Sequence, residues 1–280
     1  MATRTVSPTI VVIGAPRSGT NMLRDLLTSL PGFGTWPCDE INYIWRHGNV
    51  RFPSDEFTRE MATSPVVHYI RRHFRKIAER YDLQVVVEKT CANSLRVEFV
   101  DIVLPDAKYI FIRRNGLDAV GSALQRWRAP LDVPYLARKA RFVPVTDLPY
   151  YTARYLWNRV YRLISKERRL AMWGPRLSDM DGLLERISLE EVCALQWKMC
   201  VDRAGDAFAQ MHGERFIQVT YENLVRDPVD QLRRVIEFLG IDVPETDLRI
   251  LASGVSAASI GKGRGFLGDE LIARLTPLLK

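Results

Sequence analysis

Apolar positions along the chain fall into short β-branched runs separated by stretches of helical spacing. Thr9 to Ile13 is one such run and ends at Gly14, while from Asn21 to Leu30 the apolar positions recur with a helical period until Pro31-Gly32 stops them. The same order of strand, loop and helix is read again further on. Gln84 to Val87 reads as a buried strand and Leu95 to Leu104 as a helix halted by Pro105. Lys108 to Ile112 is the next strand, followed by a helix from Gly116 to Trp127. A last strand, Arg215 to Val219, precedes a helix from Pro228 to Leu239, where Gly240 suits a left-handed cap. Strands alternating with helices predict an α/β fold with a mostly parallel central sheet, flanked by helices on both faces.

Residues 128–188 break this rhythm. Pro, Arg and aromatic residues crowd the stretch, including Tyr150, Tyr151, Tyr155, Trp157, Tyr161 and Trp173, with Trp127 just ahead of it. A helical insertion or lid is expected here, within a single domain over 1–280. No internal repeat, low-complexity tract or linker divides the chain.

Composition narrows the partners. The net charge of +7 and pI near 9.3 favour an anionic ligand, a nucleic acid or an anionic surface. No recognition-helix, zinc-finger or RNA-binding signature accompanies the charge, and Arg168 and Arg169 read as a solvated helix face, so no nucleic-acid partner is expected. The longest apolar stretches, such as Thr9 to Ala15, fall far short of the ~20 residues of a membrane span. Nothing in Met1 to Pro8 has the form of a secretion signal, so a cytoplasmic location is expected. Cys38, Cys91, Cys193 and Cys200 form no CxxC pair and no metal-ligand spacing, which predicts buried reduced thiols and no metal.

The strongest chemical signal is Gly14-Ala15-Pro16-Arg17-Ser18-Gly19-Thr20-Asn21, between the first strand and the first helix. Unpaired backbone N–H groups and the helix dipole at such a junction favour a phosphate. A Walker A loop would place lysine directly after Gly19, where Thr20 stands, so an ATP-hydrolysing enzyme or nucleotide kinase is the weaker alternative. A second candidate phosphate site follows the strand Lys108 to Ile112. Arg114 at the strand end and Ser122, eight positions on and two helical turns into the next element, can converge on one anion. Arg113 is the neighbouring candidate, and because adjacent strand residues point oppositely only one of the two should face the ligand.

Together these segments resemble the sulfotransferases that use 3'-phosphoadenosine 5'-phosphosulfate (PAPS), particularly the bacterial and tyrosylprotein-type branch, in which arginine holds the basic position of the first loop. The resemblance runs from Thr9 to Val120 and resumes from Phe216 to Gly240. It implies a P-loop-type three-layer fold and PAPS as co-substrate, with 3',5'-adenosine bisphosphate as its product. Arg17, Ser18, Gly19, Thr20 and Asn21 would bind the 5'-phosphosulfate, and Arg114 and Ser122 the 3'-phosphate. Tyr221, in Val219-Thr220-Tyr221-Glu222-Asn223-Leu224, matches the segment that packs near the nucleotide. Lys262 and Arg264, in Ser259-Ile260-Gly261-Lys262-Gly263-Arg264-Gly265, match a flexible basic loop that covers it.

For catalysis the resemblance points to Arg17 and to Lys89, which corresponds to the lysine of the family's Lys-Ser/Thr-Pro segment. This chain reads Glu88-Lys89-Thr90-Cys91, with cysteine in place of proline. Positive groups are needed where charge develops on the leaving oxygen, and a base must take the acceptor's proton. Cytosolic members use a histidine near the second strand, but His47, His68, His73 and His212 all lie elsewhere. The tyrosylprotein-type branch uses a glutamate after the first helix, which makes Glu40 the candidate base, with Asp39 as the alternative. The implied acceptor is a hydroxyl, expected on a carbohydrate or glycolipid contacted by the 128–188 insertion, with tyrosine or a small phenol as the alternative. The oligomeric state is left open.

Overall fold

The computed structural model describes residues 8–129, 141–164 and 170–280. Met1 to Ser7, part of the 128–188 insertion, and Arg168 and Arg169 lie outside the described residues.

Five parallel strands form the sheet, in the order β2-β3-β1-β4-β5. They are β1 (Thr9–Ile13), β2 (Phe33–Gly34), β3 (Val85–Lys89), β4 (Lys108–Arg113) and β5 (Phe216–Thr220). β1 is buried along its whole length, between β3 and β4. Its alternate residues divide between two cores, as period-two geometry requires. Ile10 and Val12 join Val87, Ile110 and Ile112 beneath the helices α1 (Thr20–Thr28) and α10 (Pro228–Leu239). Val11 and Ile13 join Val86, Tyr109 and Phe111 on the opposite face. That face is covered by α3 (Ser64–Tyr81), α4 (Val97–Val103) and α8 (Leu189–Ala209). The three-layer arrangement anticipated from the alternating pattern is the one observed.

Remaining elements surround these layers. A short α2 (Asn42–Trp45) follows the acidic pair, and α5 (Gly116–Arg128) follows β4. The described part of 128–188 contains α6 (Leu148–Ile164) and α7 (Met180–Arg186). After β5 come α9 (Tyr221–Arg226), then α10, α11 (Glu245–Ser253), α12 (Lys262–Gly265) and α13 (Asp269–Leu275).

Several elements differ from the sequence reading, most by a residue or two at their ends. Strand β3 runs two residues further than expected and ends on Lys89 itself. The segment expected as one helix from Leu95 splits into a 3-10 turn, Cys91–Leu95, and α4, because Arg96 adopts a non-helical conformation between them. The loop carrying Lys262 and Arg264 is not a loose cover. Its glycine Gly261 takes φ of 75° and starts α12, whose backbone is tied to Asp118. Among the described residues no helix is long and apolar enough to cross a membrane.

Candidate active site

The site lies at the carboxyl ends of the strands, where parallel sheets leave backbone groups and loops open to a ligand. Gly14 to Gly19 leaves β1, Lys89 ends β3, Arg114 follows β4 and Tyr221 follows β5. Within the first loop the backbone turns left-handed twice, at Arg17 (φ 67°) and at Gly19 (φ 87°). A non-glycine residue in that region is strained, and successive turns of this kind aim N–H groups into a concavity that suits an anion. Gly19 is also sterically required, because a Cβ there would come within 2.4 Å of the Tyr221 ring.

Arg17 links Ser122 and Arg114, whereas the spacing paired Arg114 with Ser122 directly. Arg17 Nε donates to Ser122 Oγ at 2.9 Å. Arg114 instead donates to two carbonyls, Arg17 O at 2.9 Å and Ser259 O at 2.6 Å, and its guanidinium lies 4.3 Å from the Tyr221 ring centroid. Arg113 is exposed and Arg114 buried, in keeping with strand alternation. Loss of solvent, followed by repulsion from Arg126 and Arg114, lowers the Arg17 guanidinium from its ordinary value. Two polar atoms in this cluster are buried without a partner, Ser18 Oγ and Arg114 Nε. Orphaned donors beside a ring of basic groups fit a phosphate-bearing ligand. Thr20 is buried at the start of α1, whereas Asn21 is exposed.

Asp118, one helical turn before Ser122, was not anticipated. Its carboxylate accepts from Gly261 N and Arg264 N, both at 2.9 Å, and so fixes α12 against α5. The side chains of Lys262 and Arg264 are exposed.

An acidic pair faces the end of β3. Lys89 Nζ donates to Asp39 Oδ1 at 2.7 Å and to Glu40 Oε1 at 3.1 Å, and Glu40 Oε1 also accepts from Cys91 N at 3.2 Å. Arg24, on α1 one turn after Thr20, adds a 2.7 Å bond to Asp39 Oδ1. Burial opposes ionisation of Asp39, but Lys89 and Arg24 outweigh it and hold the carboxyl at about 2. Lys89 is raised above its ordinary value, burial being outweighed by Glu40 and Asp39. Ile41 N donates to Thr90 Oγ1, which fastens this acidic segment to the end of β3. Burial pushes the Cys91 thiol well up, so it stays protonated, 3.7 Å from Thr20 Oγ1. The histidines lie apart from this cluster: His47 pairs with Asp147 and stacks on Tyr69, His73 meets Tyr69 O, and His68 and His212 are exposed.

Over residues 7–260 the chain matches the family model described as "Sulfotransferase domain". The chain belongs to the sulfotransferase family. It is accordingly a PAPS-dependent sulfotransferase, as the resemblance of its two phosphate motifs implied. Solved structures agree on the fold. The sulfotransferase domain of the Synechococcus PCC 7002 olefin synthase is 17% identical with a TM-score of 0.55, the match covering 100% of this chain and 96% of that one. Sulfotransferase STF9 from Mycobacterium avium is 17% identical with a TM-score of 0.55, over 98% of this chain and 75% of its own. The sulfotransferase domain from the curacin biosynthetic pathway is 13% identical with a TM-score of 0.54, over 96% and 98%. No curated protein matches the chain significantly.

Beneath the acidic pair, this sulfotransferase buries a polar network. Glu88, fully buried, accepts from Trp45 Nε1 and Asn93 Nδ2, each at 3.0 Å, and burial raises its carboxyl above the usual range. Asn93 in turn accepts from Arg96 Nε at 2.9 Å, and Arg96 shares Asp55 with Arg46. The network pins the 3-10 turn that carries Cys91 against α2, and a single missing member would strand a buried charge. Among the described residues no group of three His, Cys, Asp or Glu side chains is placed to hold a metal ion.

Proposed function

We propose that this sulfotransferase holds the two ends of PAPS in the two basic clusters and transfers its sulfuryl group to a hydroxyl of a carbohydrate or glycolipid. The observation that carries the reading is the contact of Arg17 with both Ser122 and Arg114, beside two buried polar atoms without a partner, Ser18 Oγ in the loop and Arg114 Nε. In the proposed assignment the N–H groups of 17–20 and Arg17 take the 5'-phosphosulfate, while Arg114 and Ser122 take the 3'-phosphate beside Tyr221. PAPS supplies an activated sulfuryl group, and its transfer leaves adenosine bisphosphate.

Glu40 is proposed as the base. Asp39 is a poor one, because two cations at 2.7 Å hold it ionised down to about 2 and leave it little affinity for a proton. Glu40 keeps longer bonds, to Lys89 and to Cys91 N. As the acceptor oxygen bonds to sulfur and the bond from sulfur to the 5'-phosphate breaks, its proton passes to Glu40. Lys89 and Arg17 offset the negative charge that grows on the leaving oxygen.

A carbohydrate acceptor is supported by the polar setting of Glu40, which shares Lys89 with Asp39. Four free, buried thiols accord with a reaction in the reducing cytoplasm. Incubation with radiolabelled PAPS and a panel of sugars, glycolipids, phenols and tyrosyl peptides tests the acceptor class. Label on sugars or glycolipids is the expected result. Label confined to phenols or tyrosyl peptides would remove the carbohydrate reading and leave the donor site untouched.

A further inference from the structure

Helix α6 is built inside out. Leu156, Trp157 and Val160 are 55%, 57% and 49% exposed, Leu148 is 36% exposed, and Val145 in the turn before the helix reaches 81%. Pro149 and Ala153 are exposed as well, and the spacing 149, 153, 156, 157, 160 defines one continuous apolar face. Several polar residues, Tyr151 and Asn158 among them, turn toward the body of the protein, while Thr152 and Arg159 are exposed. Tyr151 packs against the core that contains Trp45 and Phe57, and Asn158 Oδ1 accepts from Met172 N at 3.1 Å. A surface helix ordinarily faces the other way, and a contiguous exposed apolar patch marks a surface with a partner.

Charge selects that partner. Helix α6 carries Arg154, Arg159 and Arg162 and no acidic residue. Asp147, which alone supplies an acid between positions 141 and 164, is buried and bonded to His47 at 2.9 Å. Among the described side chains of the segment the exposed charges are Arg141 and Arg159, both positive. A second copy of this helix packed on the same face would set arginine against arginine with no acidic residue of the helix to meet it. A tryptophan and branched aliphatics on one side, flanked by arginine, is the composition of a helix that lies in a lipid interface.

We propose that α6 docks the enzyme on an anionic lipid surface, with Leu156, Trp157 and Val160 entering the acyl boundary and Arg159 meeting the headgroups. The proposal does not depend on the acceptor, because vesicles without any acceptor suffice to test it. The full chain is sedimented with vesicles of phosphatidylglycerol and phosphatidylcholine, and separately with phosphatidylcholine alone. Binding to the anionic vesicles is expected, at least about tenfold weaker to the neutral ones. The double variant Leu156→Ser/Val160→Ser should lower anionic-vesicle binding by at least about tenfold. Its melting temperature and its affinity for 3',5'-adenosine bisphosphate should match the wild type, since both side chains point outward. Arg159→Glu should weaken binding, as added salt does for the wild type. No binding to anionic vesicles overturns the proposal, as does equal binding by the double variant. A concentration-dependent dimer that the double variant abolishes, without vesicle binding, would assign the face to a second copy and equally overturn it.

Discussion

The backbone N–H of Cys91 donates to Glu40 Oε1 at 3.2 Å. That bond gives the departure from the family's Lys-Ser/Thr-Pro segment a physical meaning, because a proline at position 91 has no N–H to give. Cys91→Pro should lower kcat about tenfold through loss of one charge-assisted hydrogen bond to the proposed base. Cys91→Ala, which keeps the N–H, should stay within about twofold of the wild type. Equal kcat for all three proteins would remove Cys91 N from the positioning of Glu40.

Glu40→Gln keeps the shape of the side chain and removes its basicity. Turnover should fall by roughly 10²- to 10⁴-fold while affinity for 3',5'-adenosine bisphosphate changes little. Steady-state kinetics alongside calorimetry separates the two. A variant with normal turnover would move the role of base to another group.

A Cβ on Gly121 would lie 1.9 Å from Gly263 O, so α5 and α12 approach at a distance that two glycines alone permit. Gly121→Ala should push α12 away and cost about 1–3 kcal/mol, expressed as lower melting temperature and weaker bisphosphate binding. Crystallography or amide exchange of 257–265 would locate the displacement. Unchanged protection of that segment would contradict the contact.

Asp39 has a folded-state carboxyl at about 2, below the unfolded value near 3.8, because Lys89 and Arg24 outweigh its burial. A depressed carboxylate stabilises the fold above its unfolded value, and that contribution fades as pH falls toward 2. Thermal unfolding from pH 7 down to pH 2 should therefore show a shallower acid loss in Asp39→Asn than in the wild type. Parallel curves would mean that the contacts of Asp39 with Lys89 and Arg24 do not persist in solution.

Much of this architecture was legible in the sequence because the buried strands are short, β-branched and ended by glycine or by the site itself. The strand Thr9–Ile13 and the helix Pro228–Leu239 appear at the residues expected, the latter closed by Gly240 at φ 73°. The long helices Ser64–Tyr81 and Leu189–Ala209 went unread, although Val66, Ile70, Phe74 and Ile77 have helical spacing and Ser188 with Glu191 forms a capping box. In the site, motif spacing related Arg114 to Ser122, while the contacts of Arg17 with both were not read. Arg24 and Asp118 escaped notice because their partners, Asp39 and the backbone of 261–264, are set by tertiary packing. The one-turn offsets from Thr20 and Ser122 were the available signal. The aromatic residues of the insertion have different roles that composition could not separate: Trp127 is a core residue and Trp157 an exposed one.

Two phosphate sites joined by one ligand are the central claim, and titration calorimetry with 3',5'-adenosine bisphosphate beside 5'-AMP tests it most directly. The wild type should prefer the bisphosphate, and Arg114→Ala should weaken that binding by roughly 10- to 100-fold while leaving 5'-AMP affinity nearly unchanged. Equal affinity of the wild type for both nucleotides, or full bisphosphate affinity in Arg114→Ala, would contradict it.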